Sequence, residues 1–330
     1  EFRRVLFRSG DIDRAFQIIR EAKAAGVDAV KLQTYTPDTI TFNSREEQFV
    51  VKGGLWDGKS LYELYEEAYL PWEWHEPIFE LAHELGLTIF SSPFDSTAVD
   101  FLEALKVPAY KIASFEIIDL PLIRKVAKTG KPMIISTGMA TMEDIQAAVD
   151  TARGNGCDEL VVLQCVSGYP APADQYNLKV IPDMEKRFGV VAGLSDHTLD
   201  NATAIASVAL GASVIEKHVT LDRSGGGPDD SFSLEPKELT RLCCDTKIAW
   251  QALGEASYAR ARAEEANVQF RRSLYVVENV SEGELFTDKN IKSIRPGYGL
   301  APKCFDDVLG KAAVKCISAG TALKTEMIKD

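Results

Sequence analysis

Two of the four histidines in this chain follow short apolar runs that predict buried strands. His197 comes just after the run 190–194, and His218 comes just after the run 213–215. Because the carboxyl ends of neighbouring parallel strands meet at one edge, the two imidazoles could share a divalent metal ion. Nitrogen ligands completed by oxygen and water suit Mn²⁺, Fe²⁺, Co²⁺ or Zn²⁺ better than Mg²⁺. The alternative is a pair of hydrogen-bonded core histidines, but the acidic neighbours of both favour the metal site.

Lys31 and Lys111 lie at equivalent positions in two other predicted strands, and serines follow several strand ends. Ammonium groups supply charge and hydroxyls supply directed hydrogen bonds, so together they suit a phosphate. Either lysine alone would more simply extend to solvent, and a Schiff-base lysine is a further alternative. The presence of both favours anion binding, and the metal-suited histidines argue against imine chemistry. The other polar residues at predicted strand ends are Gln33, Ser91, Ser92, Ser114, Glu116, Ser136, Thr137, Ser167, Tyr169, Ser195, Asp196, Glu216 and Lys217.

Two acidic residues outside the strands are candidates for substrate contact. Glu116 stands five residues beyond Lys111 and could be a general acid or base, or bind a sugar hydroxyl. Asp229 follows a run of glycines and a proline and could hold a polyol at the same edge. A solvated loop glutamate and a simple glycine turn are the alternatives. The remaining histidines, His75 and His83, fall on a predicted helix, where we expect them at the surface.

The elements that must position these residues alternate from Gly10 onward. Predicted strands cover 27–33, 87–91, 109–113, 132–136, 160–165, 190–194 and 213–215. Predicted helices cover 11–25, 71–85, 96–105, 120–129, 141–153, 178–188, 202–210 and 236–253. With an eighth strand from the N-terminus, this order predicts an α/β fold of the (β/α)8 TIM-barrel type, whose active site lies at the carboxyl ends of the strands. A doubly wound open sheet is the rival, but the sequence lacks its Gly-rich loop.

Two further segments depart from the barrel pattern. The connection 34–70 is long and rich in aromatic residues, so we expect it to be ordered and to cover the barrel mouth. After Gly254 the composition changes, so the catalytic domain would span 10–254. Residues 255–268 predict a helical linker, and 269–330 predict a small β-rich domain with strands at 270–277, 283–286, 291–295 and 320–323.

The composition limits the function. A net charge of −12 argues against a nucleic-acid partner, and no apolar run is long enough to cross a membrane. Six cysteines without a CxxC spacing, and no recognisable signal peptide, predict reduced thiols in a cytoplasmic protein. Residues 1–9 are arginine-rich beside an otherwise acidic chain, and we interpret them as a non-native N-terminal segment.

Several motifs together resemble the sialic-acid synthase family, which condenses phosphoenolpyruvate with an N-acylated amino sugar. They are Lys31-Leu32-Gln33-Thr34, Ser91-Ser92-Pro93-Phe94, Tyr110-Lys111-Ile112-Ala113-Ser114, Ser136-Thr137-Gly138-Met139, Gly193-Leu194-Ser195-Asp196-His197-Thr198, Glu216-Lys217-His218 and Arg295-Pro296-Gly297. The long connection resembles the branch of the family that uses 2,4-diacetamido-2,4,6-trideoxy-L-altrose. The resemblance implies a TIM barrel followed by an antifreeze-like (SAF) domain, in a domain-swapped homodimer where Arg295 reaches the sugar of the partner subunit.

The resemblance also implies roles for single residues. His197 and His218 would hold a divalent metal (Mn, Mg or Co) that polarises the sugar aldehyde, and Glu116 would move protons. C3 of phosphoenolpyruvate would attack the aldehyde, water would add at C2, and phosphate would leave by C–O cleavage. The residues expected to bind phosphoenolpyruvate are Lys31, Ser92, Lys111, Ser114, Ser136, Ser167 and Ser195. Those expected to bind the sugar are Gln33, Glu116, Tyr169, Glu216, Asp229 and Arg295.

The N-terminus departs from the family pattern. The family's first strand carries a glutamate and an Asn-His-Asn-Gly motif, and here Arg3 replaces the glutamate and Arg8 replaces the histidine. We expect the chain as written to have weak or no activity, and restoration of the first strand to rescue it. The alternatives that remain open are another synthase of the family, for N-acetylneuraminate or legionaminic acid, and a non-catalytic sugar-binding barrel.

Overall fold

The computed structural model describes residues 2–5, 12–53 and 56–329 of the chain. Its first unit, which ends at Gly254, is built on a closed barrel of parallel strands. In chain order these are β1 Phe2–Val5, β2 Ala29–Thr34, β3 Thr88–Pro93, β4 Tyr110–Ile112, β5 Met133–Ser136, β6 Leu160–Cys165, β7 Val191–Asp196 and β8 Val214–Val219. β1 pairs with both β2 and β8, so the N-terminal segment supplies the eighth strand. The predicted (β/α)8 barrel is confirmed.

Helices surround this barrel, and local sequence explains where several of them begin. In chain order they are α1 Ile12–Ala25, α2 Pro37–Ile40, α3 Leu61–Ala68, α4 His75–Glu84, α5 Ser96–Ala104, α6 Leu120–Ala127, α7 Met142–Gly154, α8 Val180–Phe188, α9 Ala202–Ala209 and α10 Pro236–Leu253. Asp95 caps α5 by accepting hydrogen bonds from two backbone N–H groups of its first turn. Thr141 and Asp144 form the predicted capping box at the start of α7.

Strands β2 to β8 are largely buried on both faces, and alternate residues face opposite sides. Outward-facing residues such as Val30, Ile89 and Ile135 pack in one core with the helices. Inside the barrel a separate apolar cluster is formed by Ala29, Phe90, Ile134 and Leu163. Two residues further along the same strands come Lys31, Ser92, Ser136 and Cys165. The pleat therefore directs these polar side chains into the barrel, above an apolar floor.

The connection between β2 and α4 is ordered, as predicted, and it contains helices that the sequence analysis did not place. These are α2, a 3-10 turn at Glu47–Phe49, and α3. α3 begins at a capping box, because Ser60 accepts from the backbone of Glu63 and Glu63 accepts from the backbone of Ser60. Residues 54 and 55 lie outside the described part of this connection.

His75 is fully buried, so the prediction that it lies at the surface is wrong; His83 is exposed as predicted. Nδ1 of His75 lies 3.2 Å from the carbonyl oxygen of Pro71 and must donate to it. Nε2 therefore accepts from Thr34 Oγ1 at 2.8 Å, and Thr34 Oγ1 accepts from Ser91 Oγ at 2.7 Å. Burial lowers the pKa of His75 to about 4. These bonds join the residues on either side of the connection 35–70.

The second unit begins at Glu255 and has its own core. The expected helical linker is helical only in its second part, since a 3-10 helix covers Arg262–Phe270 and residues 255–261 form none. β9 (Ser273–Val276) pairs antiparallel with β10 (Ile291–Ile294), and α11 covers Phe305–Val308. The predicted strands 283–286 and 320–323 are reduced to isolated bridges at Leu285 and Ala322. Because strand pairing here is fragmentary, the unit depends on its apolar core.

Two composition-based expectations also bear on the structure. In the part of the chain that is described, no helix has the length and apolar character needed to cross a membrane. The six cysteines are free thiols, and Cys157 and Cys165 are buried.

Candidate active site

A buried ion-pair cluster occupies the interior of the barrel at the carboxyl ends of β2, β4 and β8. Lys31 Nζ donates to Glu216 Oε1 at 3.0 Å, and Lys111 Nζ lies 3.5 Å from the same oxygen. Lys111 Nζ also donates to Ser136 Oγ at 2.7 Å, and Ser195 Oγ donates to Glu216 Oε1 at 3.3 Å. Two ammonium groups therefore share the carboxylate of Glu216 in a site shielded from solvent.

The structure places Glu216 between these lysines, whereas the sequence analysis assigned it to the sugar. Burial opposes ionisation of Glu216, but the charges of Lys111 and Lys31 outweigh burial and lower the pKa of its carboxyl to about 2. Its second oxygen, Oε2, is buried and has no hydrogen-bond partner among the described residues. An ionised Glu216 thus holds the two ammonium groups side by side and retains unused accepting capacity.

Serine hydroxyls complete a cradle beside the lysines. Ser92 Oγ and Ser167 Oγ are shielded from solvent and have no hydrogen-bond partner within the described residues. Ser114 Oγ accepts from the backbone N–H of Gly138 at 3.1 Å. A Cβ at Gly138 would lie 2.0 Å from Ser167 Oγ and 2.8 Å from Ser114 Oγ, so any other residue would fill the space between the hydroxyls. Buried hydroxyls without a partner are rare in proteins, and here they fit the oxygens of an anion.

His197 and His218 face each other, with ring centroids 5.2 Å apart and planes inclined at 74°. Nδ1 of His197 lies 2.8 Å from the carbonyl oxygen of Val166, which can only accept, so this nitrogen carries the proton. Nδ1 of His218 lies 3.1 Å from Asp229 Oδ2, a close contact without hydrogen-bond geometry. Histidines oriented in this way present Nε2 to metal ions. The pair therefore fits a divalent metal, although no group of three or more His, Cys, Asp or Glu among the described residues is arranged to hold one.

Lys217, the middle residue of the Glu-Lys-His motif, faces the outer side of β8. Its Nζ donates to Asp196 Oδ2 at 2.8 Å, to the carbonyl of Thr198 at 2.5 Å and to the carbonyl of Asp200 at 3.1 Å. All three acceptors belong to the turn that contains His197. The buried ammonium group therefore fixes this turn from the outer side of the barrel, and it thereby fixes the position of the His197 imidazole.

A cavity of about 320 Å³ lies at the barrel mouth. Its lining includes four residues expected to bind the sugar, namely Gln33, Glu116, Tyr169 and Asp229. Ser114 lines it as well, so the cavity borders the serine cradle. The ring centroid of Tyr169 lies 4.5 Å from that of His197, which places the histidine pair next to the cavity. The size is at the lower end for small-molecule sites and suits a monosaccharide.

Arg295 belongs to the second unit, directly after β10, and its side chain is exposed. Its peptide bond to Pro296 is cis. The role expected for it in the site of a partner subunit stays a prediction.

Sequence reasoning missed three contributions to the site. The alternation of β8 could have separated Lys217 from its two neighbours, because residues one apart on a strand face opposite sides. The spacing of Leu61 and Leu64 after a capping-box sequence could have located α3 and its cavity-facing side. Nothing in the sequence connects Tyr176 with His197, yet the backbone N–H of His197 donates to the buried Tyr176 hydroxyl at 2.6 Å.

Fold and site together define a class of protein: a TIM barrel in which a buried cationic cradle for an anion adjoins a cavity of monosaccharide size. The chain belongs to the NeuB family, which matches residues 18–258, and residues 271–329 match the SAF domain. The family predicted from the motifs is therefore confirmed.

Individual relatives narrow this resemblance. The chain is 44% identical over 316 residues to a pseudaminic acid synthase of Campylobacter jejuni serotype O:2, covering 96% of this chain and 92% of that protein. It is 34% identical over 311 residues to an N,N'-diacetyllegionaminic acid synthase of the same strain, covering 93% of each. A crystal structure of the N-acetylneuraminic acid synthetase of Leptospira borgpetersenii is similar, with a TM-score of 0.70 and 29% identity over 79% of this chain and 87% of that chain.

Proposed function

We propose that the chain acts as a pseudaminic acid synthase, which condenses phosphoenolpyruvate with 2,4-diacetamido-2,4,6-trideoxy-L-altrose and releases phosphate. One observation carries the chemistry: the buried cradle around Lys31 and Lys111 borders the cavity at Ser114. An anion in the cradle and a sugar in the cavity would therefore lie side by side. The choice of sugar is supported by the identity to the two relatives from one strain, 44% against 34%.

The cradle suits the carboxylate and phosphate groups of phosphoenolpyruvate. Lys31 and Lys111 supply the positive charge, and the hydroxyls of Ser92 and Ser167 are directed donors for anionic oxygens. Ser114, Ser136 and Ser195 lie in the same cluster, where each already has a hydrogen-bond partner. Binding of an anion would thus place a second negative group beside the two ammonium groups.

A divalent metal ion, Mn, Mg or Co, would be held by His197 and His218, and it would act as a Lewis acid on the aldehyde oxygen of the sugar. The chain's own contribution is orientation. The carbonyl of Val166 accepts from Nδ1 of His197, and Asp229 lies beside Nδ1 of His218. Lys217 and its acceptors fix the turn before α9. Both imidazoles would then be held in contact with each other next to the cavity.

Glu116 is suited to move protons because it lies on the cavity wall in the turn that follows Ser114. In the reaction, C3 of phosphoenolpyruvate forms the new bond to the aldehyde carbon, and the aldehyde oxygen gains a proton. Water adds at C2 and loses a proton. The C2–O bond to phosphate then breaks, leaving a ketone. A carboxyl group that takes the proton from water and delivers one to the aldehyde oxygen serves both steps.

The assembly and compartment form part of the same proposal. The exposed Arg295 after β10 would contact the N-acyl group of a sugar bound by a partner subunit, which requires a homodimer. The free cysteines support a reducing cytoplasmic location. Sedimentation analysis of the full chain tests the dimer, and a monomer at assay concentrations would contradict the role of Arg295.

The experiment that tests the function is a phosphate-release assay with phosphoenolpyruvate, a divalent metal and one of three sugars. The sugars are N-acetylmannosamine and the two diacetamido trideoxy hexoses that lead to pseudaminic and legionaminic acids. We expect turnover with the altrose-configured sugar, weak in the chain as written and stronger once the first strand is restored, and dependence on metal. Turnover with N-acetylmannosamine alone would contradict the proposed substrate.

The same assay should compare the chain as written with a version carrying Arg3→Glu and Arg8→His. We expect the restored chain to be the more active one, since the family's first strand carries these residues at the barrel mouth. Equal rates would show that the altered N-terminus is without consequence. Sugar binding without phosphate release by either version would favour a non-catalytic sugar-binding barrel.

A further inference from the structure

The cavity at the barrel mouth has two walls of different chemistry. The wall formed by strand ends and the loops that follow them carries polar groups, including Gln33, Glu116 and Asp229. The wall formed by the connection 35–70 contributes the aliphatic residues Ile40, Val51, Leu61, Leu64 and Ala68. The aromatic residues Tyr35, Trp56 and Tyr65 lie beside them. No Lys, Arg, Asp or Glu of the described part of that connection lines the cavity.

The charged residues of the connection are directed elsewhere. Arg45 pairs with Glu63, Lys52 with Glu47, and Lys59 with Glu67, mostly on the exposed side of the segment. The segment is thus amphipathic, and its apolar side is the one turned to the cavity.

The apolar wall is held in a defined position. Leu61, Leu64 and Ala68 share one face of α3, whose start is fixed by the Ser60–Glu63 capping box. Ile40 ends α2, which begins at Pro37. The hydrogen bonds that join Thr34 with His75 and with Ser91 hold the two ends of the segment together. A wall fixed in this way can discriminate between ligands rather than adapt to them.

We propose that Ile40, Leu61 and Leu64 form a specificity-determining wall. This wall selects a sugar with a methyl at C6 and an acetamido methyl at C4 over one with hydroxyls at these two positions. The inference rests on the proposed function. The trideoxy sugar carries a methyl at C6 and an acetamido group at C4, where N-acetylmannosamine carries hydroxyls. A hydroxyl against these three aliphatic side chains loses water and finds no hydrogen-bond partner on them, whereas a methyl gains contact. Rejection of an added hydroxyl by an apolar pocket amounts to roughly 100-fold.

The test uses two half-buried wall residues, changed one at a time to Ile40→Thr and Leu61→Asn in the full chain. Binding of each sugar is measured by calorimetry, and kcat/KM for each is measured by phosphate release. We expect each variant to reduce the preference for the trideoxy sugar about tenfold. The KM for phosphoenolpyruvate reports any general loosening of the site. Phe42→Ser is the matched control, since Phe42 lies in the same connection, is 69% exposed and does not line the cavity.

The outcomes separate this inference from the function it rests on. A preference that is unchanged in both folded variants, or an equal loss with both sugars, would overturn the wall. Equal binding of the two sugars by the unaltered chain would overturn it as well. Selective binding of the trideoxy sugar without phosphate release would contradict the proposed function and leave the wall supported. A reduced preference in both variants, with the Phe42→Ser control unchanged, supports it.

Discussion

The two faces of β8 carry two buried lysine–carboxylate clusters. The clusters differ in how many of their polar atoms are hydrogen-bonded within the described structure. On the inner face, Lys31 and Lys111 share Glu216, and one carboxylate oxygen is left without a hydrogen bond in the described structure. On the outer face, Lys217 meets the single carboxylate of Asp196 and two carbonyl oxygens, so that its charge is balanced and its donors are occupied.

This difference separates binding from stability. A buried charge is costly unless it is paired and hydrogen-bonded. The outer cluster is complete without a ligand, so its contribution goes to the fold and to the placement of His197. Under the proposed function an anion would join the inner cluster, and the contribution of that cluster would then go to ligand binding. Burial alone does not distinguish the two kinds of lysine, since both are almost fully buried.

The largest effect is expected from Lys111→Met, which breaks the inner cluster. Removal of one preorganised charged donor should lower kcat/KM for phosphoenolpyruvate by about 10³-fold. The free energy of unfolding should change by only about 1 kcal/mol, because Lys31 still neutralises Glu216. Phosphate release and urea denaturation measure the two quantities. Loss of stability with retained activity would reverse the assignment of the inner cluster.

Lys217→Met breaks the outer cluster and should act on stability first. It leaves the carboxylate of Asp196 buried and uncompensated, which should lower the free energy of unfolding by about 3–5 kcal/mol. The double variant Asp196→Asn with Lys217→Met removes both charges and should recover most of this loss in urea denaturation. A single variant as stable as the unaltered chain would show that the outer pair does not hold the turn.

The His75 network is a neutral counterpart of the outer cluster and should respond to acid. Because burial lowers the folded-state pKa of His75 to about 4, the unfolded chain binds the proton more readily. The network's contribution is therefore complete above about pH 6.5 and is lost as the pH falls towards 4, by about 3 kcal/mol in all. Urea denaturation at several pH values should show a steeper acid loss for the unaltered chain than for His75→Gln. Identical pH dependence would exclude a buried neutral His75.

The smallest effect is expected from Ser92→Ala. This variant extends the comparison of ligand binding with stability to a single buried hydroxyl. Ser92 Oγ has no hydrogen-bond partner in the described structure, so stability should change by less than about 0.5 kcal/mol, while the KM for phosphoenolpyruvate rises about tenfold. Ser207 is the matched control, since its buried hydroxyl already donates to the carbonyl of Ala204 at 2.7 Å. Ser207→Ala should reduce stability by about 1 kcal/mol and leave the KM unchanged. The opposite pattern would remove Ser92 from the site.

Much of the barrel and its site could be predicted from the sequence because both depend on local patterns. Apolar runs followed by helical spacing locate the strands, and polar residues at strand ends must gather at one rim. Gln33, Glu116, Tyr169 and Asp229 were assigned to one site in this way, and all four line the same cavity. Their roles in chemistry stay predictions.

The remaining features depend on contacts between distant parts of the chain. Glu216 lies 185 positions from Lys31, and only the closed barrel shows that it pairs with the lysines. His75 occupies a helix start that looks exposed until Thr34 and Pro71 are seen on either side of its ring. The fragmentary strand pairing of the second unit follows from tertiary packing, which short β-like runs do not encode.

The hydrogen bond between Thr34 and His75 gives the segment between them the geometry of an exchangeable cassette. The segment leaves the barrel and returns to it where these two side chains touch, 2.8 Å apart. An insertion whose two ends lie together can change in length or composition without moving the strands on either side of it. Transfer of residues 35–74 between related barrels, with Thr34 and His75 retained, should therefore carry sugar preference with it and leave the inner lysines in place.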